Sequence, residues 1–145
     1  MTTISRNALV PYSAAEMYRL VDDIPAYSQF LPWCKQSDEV SRDADEVVGR
    51  LDLAHSGLQK SFTTRNRLQS DKMIEMRLVE GPFKHLQGFW RFEPLGEQAC
   101  KVSLDMEFEF SNRLVGMAMG PVFSQAANTL VDAFCKRAEV VYGKR

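Results

Sequence analysis

Three cysteines and two histidines are all that 145 residues offer to a disulfide framework or a metal site. Cys34, Cys100 and Cys135 are odd in number and scattered, with no Cys-x-x-Cys pair and no histidine at zinc-like spacing. No metal site and no covalently held cofactor is expected, and the thiols read as small buried hydrophobes in a reducing compartment. Charge of one sign is also missing. The 18 basic side chains nearly cancel the 19 acidic ones, so no global field exists to draw DNA. No apolar run approaches the roughly 20 residues that a bilayer-spanning helix requires. The start of the chain lacks a basic stretch followed by an apolar core, so no signal peptide is expected. The expectation is a cytoplasmic protein without a transmembrane segment, for which a transient membrane contact stays open.

What the chain does have is ordinary globular material: 45% hydrophobic and 26% charged residues, with a length that suits one domain over residues 1–145. Thr2 to Val10 contains no Gly or Pro and reads as a strand, ended by Pro11. Ser13 and Glu16 form a capping-box signature for a helix that places Met17, Leu20 and Val21 on one face. Pro25 closes it, and Ile24 to Leu31 reads as a further helical turn before Pro32.

From Cys34 to Phe110 the period changes to two. Six strands are predicted, punctuated at Asp43–Asp45, His55–Gly57, Ser70–Asp71, Gly81–Pro82 and Gly96–Glu97. Connections this short favour an antiparallel meander. Cys100, Val102, Leu104, Met106, Phe108 and Phe110 alternate with polar residues, which assigns one buried and one wet face. Leu86, Gly88, Trp90 and Phe92 repeat the pattern, as do Ile74, Met76 and Leu78, and Val47, Leu51 and Leu53. Gly49 and Gly88 are expected to mark bends or bulges.

Asn112 is placed to cap a last helix running to about Tyr142. Met119, Phe123, Ala127, Leu130, Phe134, Ala138 and Val141 form its apolar stripe. Gly120–Pro121 predicts a kink or break, because proline removes a backbone donor and clashes with the preceding turn. The fold class is therefore α+β. A curved antiparallel sheet of about seven strands grips a long C-terminal helix, with two short helices after the first strand.

This order, and several local segments, resemble the START-like (polyketide cyclase/lipid transport) superfamily. More narrowly they resemble the branch of coenzyme Q-binding proteins and the ribosome association toxin RatA. The segments are Val10–Ser13, Tyr27-Ser-Gln-Phe-Leu-Pro-Trp-Cys34, Phe62–Arg65, Gly81–Leu86, Trp90–Phe92, Phe108–Phe110 and Ala133–Ala138. The opening Ile4–Ser13 is more similar to the toxin than to the mitochondrial proteins, and Ser28 stands where the pattern has proline. The resemblance implies a helix-grip fold around an apolar cavity. It implies first a non-enzymatic protein that binds ubiquinone or another lipid in support of respiration. The alternative it implies is a RatA-type toxin that binds the large ribosomal subunit, blocks subunit association and inhibits translation.

The cavity follows from geometry as well, since one helix does not fill the concave face of a long curled sheet. Candidate ligand contacts are Phe30, Leu31, Trp33, Phe62, Met76, Phe83, Leu86, Trp90, Met106, Met119 and Phe123. Phe30 and Leu31 read either as a lid or as staples between helices and sheet. Phe83 reads either as an exposed contact or as a side chain tucked into the core. Lys84, His85, Lys136 and Arg137 are the candidate contacts to a polar head group or to a partner. Gly116 to Pro121, taken to lie near both Phe30 and Phe83, is the expected gate. Arg6 shares a face with Ile4 and Val10, which suggests a bulge or a sheet edge, because a buried guanidinium needs a partner. Arg65, Arg67 and Arg77 are expected on the outer face, paired with Glu75, Glu93 and Glu107. A polyketide cyclase would need an acid–base pair inside the cavity. His55 and His85 both fall in predicted turns and no catalytic residue is assigned.

Overall fold

The computed structural model of the chain describes residues 1–55 and 57–145. Ser56, the middle of the predicted His55–Gly57 turn, lies outside the described residues. The elements run β1 (Thr2–Val10), α1 (Ala14–Asp22), a 3₁₀ segment (Ile24–Gln29), β2 (Cys34–Arg42), β3 (Glu46–His55) and β4 (Leu58–Gln69). They continue with β5 (Met73–Glu80), β6 (Phe83–Pro94), β7 (Cys100–Phe110) and α2 (Arg113–Tyr142). The capping box is formed: the Ser13 hydroxyl accepts from Glu16 N at 3.1 Å, and Glu16 Oε1 accepts from Ser13 N at 2.9 Å.

The seven strands form one antiparallel sheet in the order β1-β7-β6-β5-β4-β3-β2. The meander from β2 to β7 follows from the short turns, and β1 closes it by pairing with β7. This is the helix-grip architecture. Period-two alternation delivers the buried face as predicted: Cys100, Val102 and Leu104 are fully buried, as are Ile74, Trp90 and Phe108. The 3₁₀ segment packs over β2, while α2 packs mainly on β1, β7 and α1.

Several expectations need correction. Helix α2 runs unbroken through Gly120–Pro121. Pro121 is on the exposed face, so the carbonyl of Met117 that loses its donor can turn to water. Val141 is exposed and leaves the stripe, while Ala126 and Val131 join it, since a straight 3.6-residue period drifts away from a fixed spacing. Gly88 sits in regular register between Met76 and Met106, and Gly49 lies opposite a bulge carried by β2. Both glycines make room for a neighbour: a Cβ would meet Met76 Cε at 2.8 Å from Gly88 and Ile24 Cδ1 at 2.5 Å from Gly49.

Arg6 keeps the inner-face register opposite Leu104 with no bulge. It stays solvated because β1 is an edge strand, and it donates to Asn128 Oδ1 of α2 at 2.7 Å. Arg65 and Arg77 do lie outside; Arg77 takes one of the expected carboxylates, though along its strand and not across strands, and Arg65 takes another one. Arg65 takes Glu46 of the adjacent strand, and Arg77 takes Glu75 of its own strand.

Candidate ligand cavity

Aromatic side chains gather at two places along α2. At its N-terminal half Phe123 meets Phe62, Phe83 and Phe108, with ring centroids 6.0, 4.9 and 4.7 Å apart. At its C-terminal half Phe134 meets Tyr27, Phe30 and Trp90 at 5.3, 5.2 and 5.3 Å. Phe123 and Phe134 are eleven positions apart, about 16 Å along the axis at 1.5 Å per residue. Between them α2 presents Ala126 and Ala127, and the sheet presents Gly49 and Gly88. Where both surfaces are thin, a void remains.

That void is a cavity of about 70 Å³. Seven of the predicted contacts line it: Trp33, Phe62, Met76, Leu86, Trp90, Met106 and Phe123. Phe30, Leu31, Phe83 and Met119 do not. Leu31, Phe83 and Met119 are buried in packing beside the cavity, and Phe30 meets Phe134 edge-to-face with the Arg137 guanidinium 5.1 Å over its ring. Phe83 therefore tucks into the core. Phe30 and Phe83 sit at opposite ends of α2, so the expected gate at Gly116–Pro121 adjoins only Phe83. Among the lining residues Trp33, Leu51, Thr64, Met76 and Leu130 keep partial exposure.

Sequence reasoning missed Ile24, Tyr27, Leu51, Thr64, Asn66 and Leu130, and the small residues that create the space. The available signal was the contrast of Ala126–Ala127 with the bulky residues on either side. Another was Asn66, a polar residue at an inward position of β4. Asn66 is 6% exposed, and its Oδ1 accepts from the Thr64 hydroxyl at 2.9 Å.

The lining holds little that can titrate. Tyr27 donates its hydroxyl to the Val21 carbonyl, and burial pushes its phenol far up. Outside the lining, burial likewise pushes the Cys34 and Cys100 thiols up to about 11, which keeps them protonated. His85 belongs to β6 and not to a turn. It faces away from the cavity and lies 3.0 Å from Glu107, a partner 22 residues away that spacing alone did not suggest. Lys84 lines a surface cleft with Arg113 and Met117 at the start of α2. Arg137 is held by Gln29 at 2.9 Å near the other end, so the four candidate polar contacts do not converge.

Residues 10–135 match the family described as polyketide cyclase/dehydrase and lipid transport. The chain belongs to that family. It is 46% identical over 145 residues to the ribosome association toxin RatA of Escherichia coli K12, covering 100% of this chain and 92% of the relative. A mitochondrial coenzyme Q-binding protein of Xenopus laevis is 25% identical over 145 residues, covering 97% of this chain and 59% of the relative. Among solved structures, the Zhui aromatase/cyclase from Streptomyces superposes with a TM-score of 0.82 at 18% identity, covering 95% of this chain and 93% of that one. That likeness speaks for the fold alone. The order of the two readings in the sequence analysis is thereby reversed, because the similarity to the toxin is far stronger and covers both chains. No helix among the described residues is long and apolar enough to cross a membrane.

Proposed function

We propose that this protein acts in the cytoplasm as a RatA-type factor that binds the large ribosomal subunit, blocks subunit association and so slows translation. The observation that carries this reading is the 46% identity maintained over the full chain. The surface is compatible with it. Among the described residues Lys84, Arg113, Lys136 and Lys144 are exposed and enter no ion pair, whereas Arg42, Arg50, Arg65, Arg77, Arg91 and Arg145 are each paired with a carboxylate. Free cations are what phosphate recognition needs. Near the start of α2, Lys84, Arg113 and Met117 line one surface cleft together with Glu109, and Leu114 and Met117 are 78% and 71% exposed. Apolar groups exposed beside charged ones are the composition of an interface core with its rim. No catalytic step is part of this reading. Sedimentation of the purified protein with separated ribosomal subunits tests it: co-migration with the large subunit is expected, and its absence at moderate salt refutes it.

The cavity favours a second property of the same chain, the binding of a hydrophobic small molecule of ubiquinone or lipid type. About 70 Å³ is well below the several hundred Å³ of a ligand-filled pocket, so a ligand must displace side chains as it enters. Met76 and Met106, unbranched and adaptable, are the lining residues best suited to yield. Mass spectrometry of organic extracts from the purified protein tests this reading, and extracts free of any quinone or lipid count against it.

A further inference from the structure

We infer that Asn66, steadied by Thr64, is the polar recognition point of the cavity and selects a neutral ligand bearing a carbonyl oxygen. This rests on the cavity-binding reading above and extends it to the ligand's chemistry. Asn66 occupies an inner-face position of β4, between Thr64 and Leu68, where alternation calls for an apolar residue. It lines the cavity and is 6% exposed. The Thr64 hydroxyl donates to Asn66 Oδ1 at 2.9 Å, which satisfies the oxygen end of the amide and fixes its rotation. Among the described residues Nδ2 has no hydrogen-bond partner, so two donors are left at the cavity. Nδ2 keeps some accessible surface, so in an otherwise apolar lining its N–H groups are open to an acceptor that enters the cavity.

The remaining lining limits what that partner is. Among the described residues no carboxylate, lysine, arginine or histidine lines the cavity, so a charged head group would be buried without a counter-charge. A fatty-acid carboxylate and a phosphate are therefore disfavoured. A carbonyl oxygen on an apolar, ring-sized body fits: its oxygen accepts from Nδ2 while Trp90 and Phe62 flank the ring. Quinones, ketones and esters share this chemistry. A pair of ordered waters is the competing occupant of so small a polar corner.

The probes are decylubiquinone, which carries the carbonyls, and decylbenzene, which keeps the apolar tail without them. Binding is read from quenching or shift of the fluorescence of Trp33 and Trp90, both of which line the cavity. Asn66→Leu should weaken decylubiquinone about tenfold, as expected for one hydrogen bond lost from a buried site, and leave decylbenzene unchanged or tighter. In the wild type, the side-chain amide signals of Asn66 should shift on adding decylubiquinone and stay put on adding decylbenzene. The amide signals keep the test valid if the leucine variant folds poorly. Equal affinity of wild type and Asn66→Leu for decylubiquinone, or amide signals indifferent to it, overturns the role of Asn66 while leaving the cavity reading intact. A wild type that binds neither probe overturns the cavity reading and this inference with it.

Discussion

Ile24 of the 3₁₀ segment rests on the bare backbone of Gly49 in β3, with its Cδ1 at 2.5 Å from where a Cβ would stand. This approach fastens the segment carrying Tyr27 onto the sheet and closes one side of the cavity. Gly49→Val forces two branched side chains into one place, and overpacking of this kind costs about 1–3 kcal/mol. Chemical denaturation should show that loss, together with faster hydrogen exchange in residues 24–31. A variant as stable as the wild type would mean that Ile24 relocates freely.

A second prediction concerns the two ends of the stripe on α2. Phe134 is fully buried against Trp90, Tyr27 and Phe30, so Phe134→Ala should cost about 3–5 kcal/mol. Val141, which sequence periodicity placed on the same stripe, is 48% exposed. Val141→Ala should stay within about 0.5 kcal/mol of the wild type. Thermal unfolding of the pair checks the corrected stripe directly.

The strands, their faces and the capped helices were legible because each rests on local chemistry: alternation, turn residues and a Ser–Glu box. The end of α2 was misread because one extra turn of extrapolation rotates Val141 away from the sheet. The cavity was legible as an expectation, and seven of eleven apolar contacts line it. Its position was not, because it depends on what is small. Ala126, Ala127, Gly49 and Gly88 come from three elements and meet only after folding. Phe83 and Phe30 were ambiguous for the same reason, since whether a turn aromatic faces inward depends on the Phe123 and Phe134 rings that receive it.

The pH dependence follows from Glu16. Arg145 donates from two guanidinium nitrogens at 2.7 and 2.8 Å, and Ser13 N adds a third donor at 2.9 Å. The Arg145 bonds lead the effect, and the carboxyl falls from 4.5 to about 2. The unfolded chain therefore takes up a proton that the folded one refuses between these values. The contribution is fully present above 4.5 and is lost as pH falls toward about 2. Arg145→Ala should lower the melting temperature at neutral pH, with the gap to wild type shrinking in acid and in high salt. A gap of constant size down to about pH 2 would show that the pair contributes nothing through ionisation.

Filling the void separates the two properties assigned to this chain. Ala127→Leu puts a branched side chain into the cavity and should abolish uptake of decylubiquinone, with affinity reduced more than about tenfold. Because Ala127 is buried, the surface around Lys84 and Arg113 stays as it is, and ribosome binding should persist. Loss of both activities in a stably folded variant would show that occupancy of the cavity controls the surface.

The most direct test of the central claim is subunit sedimentation with the intact protein. Purified large and small ribosomal subunits are mixed under conditions that promote joining and resolved on a sucrose gradient, with and without the protein. The account predicts that the protein migrates with the large subunit and that joined ribosomes decrease. It also predicts that Lys84→Glu with Arg113→Glu weakens both effects, increasingly so at higher salt. A gradient in which the protein stays at the top and joining is unaffected would contradict the account.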